Sequence, residues 1–519
     1  MECVSCNTMA AVSRREDLSS HESSASSGSQ RKYFTVSSKP KLRWLFLAVM
    51  VFLLQVLPYL SYRWVTDESW YAAPAYSLAH GEGLKDPAIG PNDIENHFDA
   101  RPPGTAIVIA TAFRIFGAGQ VAARLGSVFA GIVVIFLTYR LSKDILSVQG
   151  TLVATFLVAT DNLLVLTSRT ARPEALTTMC IFAGLLAMRQ YWYCSSRRFA
   201  FLSGLTMAVG TMFHITLLGY ILSIGLLAIY IDHIKSVFLL RGAFLYLSGF
   251  LLGLVPFAFL IYKSPLGMEG FRAEYLNRAI QTPLLTKFMQ EGHRYADFLG
   301  VGMLHGHYLT GLPVRLPIPV FLLVAMAVLW KYRRSWFYLQ LLLLIPSVLW
   351  LIYTVNKSSR YLALLAPLLA LIVGAAIACT EHKRLLHKVL LGTAVLVIVS
   401  QAAANLFLLH AARTANYTRI GAELRSVIPS GQTVYGTITF WLAFRDYSFI
   451  SYERTSPEAA VKQYHAGYFI TGDRMMIVGD DAYYADLNLK LQSLESQSVL
   501  VGDFPDEYYG HLRVYRLLK

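Results

Sequence analysis

The chain has 519 residues and a formal net charge of +14, and 55% of its residues are hydrophobic while only 15% are charged. Because a soluble protein of this size could not bury so much apolar surface, the composition predicts a polytopic membrane protein. The Lys and Arg residues stand in short clusters between apolar runs, which is the distribution of topology determinants and argues against nucleic acid as a partner.

The apolar runs begin after a serine-rich segment. Residues 1–41 lack a core pattern and predict a disordered cytoplasmic tail. Leu42 to Leu60 are almost purely apolar and predict a first span that is retained rather than cleaved. Further apolar runs lie at 103–118, 121–139, 149–167, 175–191, 199–213, 216–231, 243–262, 316–330, 335–354, 361–380 and 389–409.

The run at 103–118 decides the topology, because it is short and carries Arg114. If it lies along the membrane surface, thirteen basic residues of the short loops fall on the side of the basic flank before Leu42, as the positive-inside rule requires. We therefore expect about 11 transmembrane helices, with the N-terminus in the cytoplasm and the C-terminus outside. The thirteen are Arg140, Lys143, Arg189, Arg197, Arg198, Lys235, Arg241, Lys331, Arg333, Arg334, Lys383, Arg384 and Lys388.

This topology predicts an all-α membrane domain, residues 42–409, followed by a different kind of segment. Residues 410–519 begin with a helical pattern and continue in short β-like runs between turns, which predicts a small extracytoplasmic α/β domain. The runs are "TVYG", "MMIVG", "SVLVG" and "LRVYRL". Two long outer loops interrupt the membrane domain, at 61–120 with juxtamembrane helices and at 263–315.

Ionisable residues gather on the predicted outer side, in the segments 61–102, 168–174 and 355–361. Charges at a membrane edge are costly and usually functional. Arginine binds phosphate bidentately, and a carboxylate can take a proton from a hydroxyl. A phosphate leaves as an anion and needs cations rather than a protonating acid. Acidic residues and arginines on one membrane face therefore favour a transfer reaction in which a hydroxyl attacks a carbon that bears a phosphate. A membrane-anchored sugar phosphate would be the donor.

Five stretches in order along residues 42–380 carry a family resemblance. They are "TDESWYA" (66–72), "HFDARPPG" (97–104), "FGAGQVAARLGSVFAG" (116–131), "TSRTARPEAL" (167–176) and "SSRYLALLAPLLAL" (358–371). Together they resemble the GT-C glycosyltransferase superfamily of protein O-mannosyltransferases and aminoarabinose–lipid A transferases, which is glycosyltransferase family 39-like. The resemblance implies a GT-C fold and transfer of a sugar from a polyprenyl phosphate, outside the cytoplasm and with inversion at the anomeric carbon.

The resemblance also implies roles by position. Asp67 matches the catalytic aspartate of the superfamily, the general base, and Glu68 matches its acidic neighbour. Arg101 takes the place where relatives often have a Lys that contacts the lipid phosphate. Glu174 stands where relatives usually have Asp and keeps the charge on a longer arm. Asp67 and Glu68 also suit the first turn of a helix, and this structural interpretation is compatible with a catalytic one.

Four more residues are candidate substrate contacts. Of Arg169 and Arg172, we expect one to be structural and to pair with a carboxylate. Arg360 and Tyr361 precede an apolar run and are candidates for the phosphate. No metal ligand is assigned, because the histidines of "LHGHY" stand at i and i+2 and would not share a helix face. No cofactor is assigned either, although some GT-C enzymes require a divalent cation.

Two other functions remain open from the sequence. A transporter or flippase of a lipid-linked sugar would also place charges near the membrane, but it typically shows repeated halves and charges near the midplane. A scaffold protein would leave the one-sided charges unexplained. The acceptor can be a lipid, a protein or a polysaccharide, and the sugar is open. The lack of paired outer cysteines favours a bacterial plasma membrane over the endoplasmic reticulum.

Overall fold

The computed structural model describes residues 42–88, 101–235, 240–263, 283–299, 317–332, 343–350, 352, 359–473 and 482–518. The predicted tail 1–41, most of the run 335–354 and much of the loop 263–315 lie outside the described residues. Part of that loop is described, and it forms a helix.

Helices follow the apolar runs closely, which is expected because a backbone in lipid must satisfy its hydrogen bonds internally. Their bounds are α1 Leu42–Val56, α2 Thr66–Ala79, α3 Gly104–Phe116, α4 Gln120–Ser142, α5 Val148–Thr160, α6 Asn162–Ser168, α7 Pro173–Cys194, α8 Arg197–Thr211, α9 Leu218–Ile234, α10 Arg241–Lys263, α11 Leu284–Leu299, α12 Pro317–Tyr332, α13 Ala366–Cys379 and α14 Arg384–Ala412.

The described helices are those of a membrane protein that crosses the bilayer several times. Five of them are long and apolar enough to cross a bilayer, or six if the bent pair α5–α6 counts as one span. The finer expectation of about 11 spans stays a prediction. The described chain is mostly helical, and its sheet is confined to the C-terminal end, as the composition change there predicts.

The short run at 103–118 forms α3, whose 13 residues reach about 20 Å and fall short of a bilayer core of about 30 Å. It packs on α2, so two short helices follow the first span. The Gly104 amide donates to the Met212 carbonyl at 2.7 Å, and a Cβ at Gly104 would lie 2.6 Å from that oxygen. Only glycine allows this approach, which joins the start of α3 to the turn after α8.

The predicted span at 149–167 is broken. Helices α5 and α6 meet at a bend of 51°, and Asp161 occupies the break as the N-cap of α6, with its Oδ1 accepting from the amides of Leu163 and Leu164. The broken helix leads into the turn 169–172, which carries two of the candidate arginines. A capping aspartate inside an apolar run is the sequence signal for such a break.

The C-terminal unit, residues 417–518, begins with α15 Tyr417–Ser426 and contains a five-stranded mixed sheet in the order β2-β1-β3-β5-β4. Strand β1 pairs in parallel with β2 and β3, and β5 pairs antiparallel with β3 and β4. One face of the unit shares an apolar core with α2 and α3, in which Trp64 and Phe440 are completely buried. The elements are β1 Thr433–Gly436, β2 Ser448–Ser451, α16 Pro457–Lys462, β3 Tyr468–Gly472, α17 Ala482–Ser496, β4 Ser498–Asp506 and β5 Gly510–Leu517.

Candidate active site

Two adjacent carboxylates, Asp67 and Glu68, lie at the start of α2, and their surroundings differ. Val65 is the N-cap with extended backbone, so Asp67 and Glu68 lie in the first turn, where the helix dipole favours negative charge. The Asp67 side chain is 34% exposed, whereas that of Glu68 is fully buried. Only the first of them is open to a substrate.

Asp67 lies in a cluster with Arg172, Glu174 and Arg360, called here the Asp67 cluster. Its Oδ2 is 2.5 Å from Arg172 Nη1 and 2.8 Å from Arg360 Nη1. Arg172 also donates through Nη2 to Glu174 Oε1 at 3.0 Å, and Arg360 Nε lies 3.5 Å from the same oxygen. The two arginines therefore join the two carboxylates, and segments far apart in sequence meet at one point.

The cluster sets the charge of Asp67. Burial by itself raises the pKa of this carboxyl, but the positive charges of Arg360 and Arg172 outweigh it and hold the pKa well below its usual range. Arg101 acts in the same direction with a smaller effect. Asp67 is therefore ionised at neutral pH, and its oxygens can accept hydrogen bonds.

Glu68 belongs to a second, buried cluster that also contains Arg124 and Tyr59, called here the Glu68 cluster. Its Oε1 and Oε2 each accept from Arg124 at 2.7 Å. The backbone amides of Ala171 and Val65 also donate to it, at 2.8 and 3.2 Å. With four donors on its two oxygens, Glu68 fastens α2 to α4 and to the turn that carries Arg172. Its predicted catalytic role stays a prediction, and these contacts favour a positioning role.

Arg124 is a residue that sequence reasoning missed. It lies in the quoted motif at 116–131, is fully buried, and also donates to the carbonyls of Tyr59, Leu60 and Arg63, where the chain leaves α1. An arginine one turn into an apolar helix was the available signal, because such a charge needs an internal partner.

The two arginines of the turn 169–172 separate. Arg172 joins the Asp67 cluster, whereas the Arg169 guanidinium lies 4.1 Å from the ring centre of Tyr59. Arg169 is buried, and its Nε and Nη1 have no hydrogen-bond partner within the described part of the chain. The expectation that one of the pair is structural stays a prediction, and Arg172 is the one that pairs with carboxylates.

Arg101 lines a small pocket beside the Asp67 cluster. Its guanidinium carbon lies 4.7 Å from the ring centre of Trp70 and 6.0 Å from that of Tyr71. Pro102 and Pro103 follow it and restrict the backbone that holds it. The cavity is about 20 Å³, the room of one or two waters, and it is lined by Trp70, Tyr71, Pro74, Leu84, Arg101, Pro102, Pro103 and Ala106.

Tyr361 borders the cluster together with His214, which lies in the turn between α8 and α9. The two rings lie 4.8 Å apart, and Nδ1 of His214 accepts from the Thr216 amide at 3.2 Å. Burial lowers the pKa of His214 to about 4. The positive charges of Arg172 and Arg360 also lower it, while the negative charge of Glu174 raises it. His214 is therefore neutral at pH 7, and with Nδ1 accepting, its proton is on Nε2.

No group of three His, Cys, Asp or Glu side chains within the described residues could hold a metal ion. Asp67 and Glu174 are both committed to arginines. The Asp67 cluster presents a partly exposed carboxylate beside two guanidinium groups.

The same architecture occurs in solved structures of GT-C proteins. ArnT from Cupriavidus metallidurans, bound to undecaprenyl phosphate, matches with a TM-score of 0.61 and 12% identity, over 91% of this chain and 97% of that one. The oligosaccharyltransferase of Archaeoglobus fulgidus, tethered to an acceptor peptide, matches with a TM-score of 0.51 and 10% identity, over 92% of this chain and 74% of that one. The fold is the GT-C fold, as the motifs predicted.

Within this fold class, residues 100–262 match the family model of dolichyl-phosphate-mannose-protein mannosyltransferases. The resemblance predicted from the five motifs is thereby confirmed. The matched region contains Arg101, Arg124, Arg172 and Glu174. No curated protein matches the chain by sequence.

Proposed function

We propose that this protein is a membrane glycosyltransferase that moves a sugar from a polyprenyl-phosphate carrier to a hydroxyl acceptor at the extracytoplasmic face. The observation that carries the proposal is the Asp67 cluster, in which an ionised carboxylate and two arginines meet just after the first span. A GT-C fold supports the same reaction class, and the similar ArnT structure contains undecaprenyl phosphate.

The proposed step is a single displacement. Asp67 takes the proton of the acceptor hydroxyl, whose oxygen attacks the anomeric carbon as the bond from that carbon to the phosphate oxygen breaks. The polyprenyl phosphate leaves with the electron pair, and attack from the opposite side inverts the anomeric centre. Because the leaving group is an anion, arginine rather than a general acid stabilises it.

We assign the leaving phosphate to Arg101, with Arg360 and Tyr361 on the other side of the reacting carbon. Arg101 lines a small cavity with aromatic and proline walls, and its guanidinium supplies the kind of charge that binds a phosphate. Trp70 and Tyr71 line the same cavity and follow Asp67 on α2, so the cavity and the candidate base are neighbours. Glu174 holds Arg172 and Arg360 in place beside the base.

Membrane topology is part of the proposal. With the N-terminus in the cytoplasm, the Asp67 cluster and residues 410–519 lie on the extracytoplasmic side, and the membrane domain at 42–409 anchors the lipid donor. A bacterial plasma membrane is the favoured location. The acceptor, whether lipid, protein or polysaccharide, approaches from the aqueous side.

The test is donor consumption by the purified protein in liposomes. The probes are radiolabelled mannose, glucose and aminoarabinose linked to undecaprenyl or dolichyl phosphate, with Asp67→Asn as the matched control. Release of polyprenyl phosphate by the wild type, and its loss in Asp67→Asn, supports a transferase that uses water or an added acceptor. Movement of intact donor across the bilayer by both proteins would instead indicate a flippase.

A further inference from the structure

The segment that carries Asp67 is held from the aqueous side by the C-terminal unit. The Tyr509 hydroxyl accepts from the Trp64 amide at 2.9 Å and donates to the Trp64 carbonyl at 2.8 Å. The hydroxyl oxygens of Thr439 and Thr66 lie 2.8 Å apart. Trp64 and Thr66 both come within three residues of Asp67, so these contacts fix the backbone that leads into the candidate base.

This interface is buried and ordered by its own aromatic packing. Tyr509, Thr439 and Trp64 are each at most 2% exposed. The Tyr417 ring packs against Trp64 at 6.0 Å, and its hydroxyl donates to the Thr439 carbonyl at 2.9 Å. The short 3-10 helix Ile438–Phe444 is therefore anchored inside the C-terminal unit while it presents Thr439 to α2.

The threonine contact continues as a chain of hydroxyl groups inside the C-terminal unit. Glu453 Oε1 accepts from the Thr437 hydroxyl at 2.7 Å, and Thr437 and Thr439 hydroxyls are 3.2 Å apart. Thr66, Thr439 and Thr437 therefore place three hydroxyls within hydrogen-bond distance of one another, in a row that ends at Glu453. Each member has a partner, which is the condition under which a buried polar chain makes a structure rigid.

On the membrane side, the same helix start is held by Glu68 and Arg124. Asp67 thus lies between two sets of restraints, one from α4 and one from the C-terminal unit. General-base catalysis depends on placement, since a misplacement of about 1 Å can cost on the order of 10²-fold in rate.

We propose that the C-terminal unit is an integral part of the active site, in which Tyr509 and Thr439 are positioning residues for Asp67. The inference rests on the proposed role of Asp67 as the base. It assigns to residues 417–518 a task in the chemical step itself, separate from any selection of the acceptor. Removing either contact takes away part of the restraint from the C-terminal unit on the start of α2 and leaves the residues that line the cavity at Arg101 unchanged.

The first test compares two tyrosine hydroxyls of the full-length protein. Tyr509→Phe removes the contact to Trp64, whereas Tyr435→Phe removes a buried hydroxyl that donates to the Thr455 carbonyl inside the C-terminal unit. We expect Tyr509→Phe to lower kcat by about 10- to 10²-fold with an unchanged donor Kd, and Tyr435→Phe to keep kcat within about twofold of the wild type.

The second test uses Thr439, and it still tests the positioning role if the Tyr509→Phe variant does not fold. Thr439→Val removes the hydroxyl at nearly constant volume, and Thr439→Ser keeps it. We expect Thr439→Val to lower kcat at constant donor Kd and Thr439→Ser to restore it. Equal kcat for Val and Ser variants, or equal losses for Tyr509→Phe and Tyr435→Phe, would overturn the positioning role. Wild-type donor turnover tests the proposed function separately, so the two failures are distinguishable.

Discussion

The Asp67 cluster and the Glu68 cluster begin at adjacent residues of one helix and differ in exposure and in the balance of charge. Asp67 is 34% exposed and shares its arginines with Glu174, whereas Glu68 and Arg124 are both fully buried and bond to each other. Exposure leaves the first carboxylate within reach of a substrate. The Glu68 carboxylate accepts from four donors and therefore holds neighbouring segments of the chain together. The surroundings of the two carboxylates therefore suit different roles, a substrate contact for Asp67 and a structural contact for Glu68.

The strongest way to test this division is Asp67→Asn. We expect kcat for donor turnover to fall by about 10²- to 10⁴-fold, because a general base contributes on that scale. The thermal unfolding midpoint should fall, because Arg172 and Arg360 lose one counter-charge, but by less than in Glu68→Gln, since Glu174 still pairs with both arginines. Retention of near wild-type turnover would remove Asp67 as the base.

Glu68→Gln should produce the opposite pattern. It leaves the Arg124 guanidinium buried without its counter-charge, and breaking a buried pair in this way costs about 3–5 kcal/mol. We expect a lower unfolding midpoint and a lower yield of folded protein, while the protein that does fold keeps much of its turnover per molecule. A stable Glu68→Gln protein without turnover would instead assign Glu68 a catalytic role.

Arg360→Gln sharpens the account of how Asp67 is kept ionised. In the wild type, the low pKa of Asp67 means that its protonation does not limit kcat/KM between pH 7 and pH 5. Loss of Arg360 removes one of the two charges that hold the pKa down, so the pKa rises and the acid limb of the kcat/KM profile moves to higher pH.

The same substitution at Arg419, which pairs with Glu423 and Asp506 away from α2, provides the control. Arg419→Gln should leave the acid limb in place. An acid limb that is identical in Arg360→Gln and in the wild type would contradict the electrostatic role of Arg360.

A smaller effect is expected at the pocket. Arg101→Ala should weaken donor binding by about tenfold and Arg101→Lys by less, since Lys keeps the charge but loses the planar fork. Titration of the purified variants with a polyprenyl-phosphate sugar measures the difference. Equal dissociation constants for the two variants would argue against a phosphate contact.

Much of the fold was predictable because hydropathy and charge placement act locally. The positive-inside rule singled out the run at 103–118 as a surface helix, and its 13-residue length in α3 fits that prediction. The β-like runs at the C-terminal end were also found as β1, β4 and β5, while the run "MMIVG" lies outside the described residues. The bend at Asp161 was not predicted, since a single polar residue does not reveal the angle at which two helix segments meet.

The site was predictable in its residue types and less so in its pairings. Arg169 and Arg172 look equivalent in sequence, but Arg169 packs on the Tyr59 ring whereas Arg172 pairs with Asp67. Arg124 contacts Glu68 although 56 positions separate them in the sequence, and Thr439 contacts Thr66 across a separation of 373 positions. Such contacts depend on how helices and the C-terminal unit pack, which one sequence does not specify.

The most direct test of the central claim is a structure of the Asp67→Asn variant with a polyprenyl-phosphate sugar bound. We predict that the phosphate lies within hydrogen-bond distance of Arg101, about 3 Å, and that the anomeric carbon faces residue 67. A donor whose phosphate lies away from Arg101, with its sugar turned away from residue 67, would contradict this prediction.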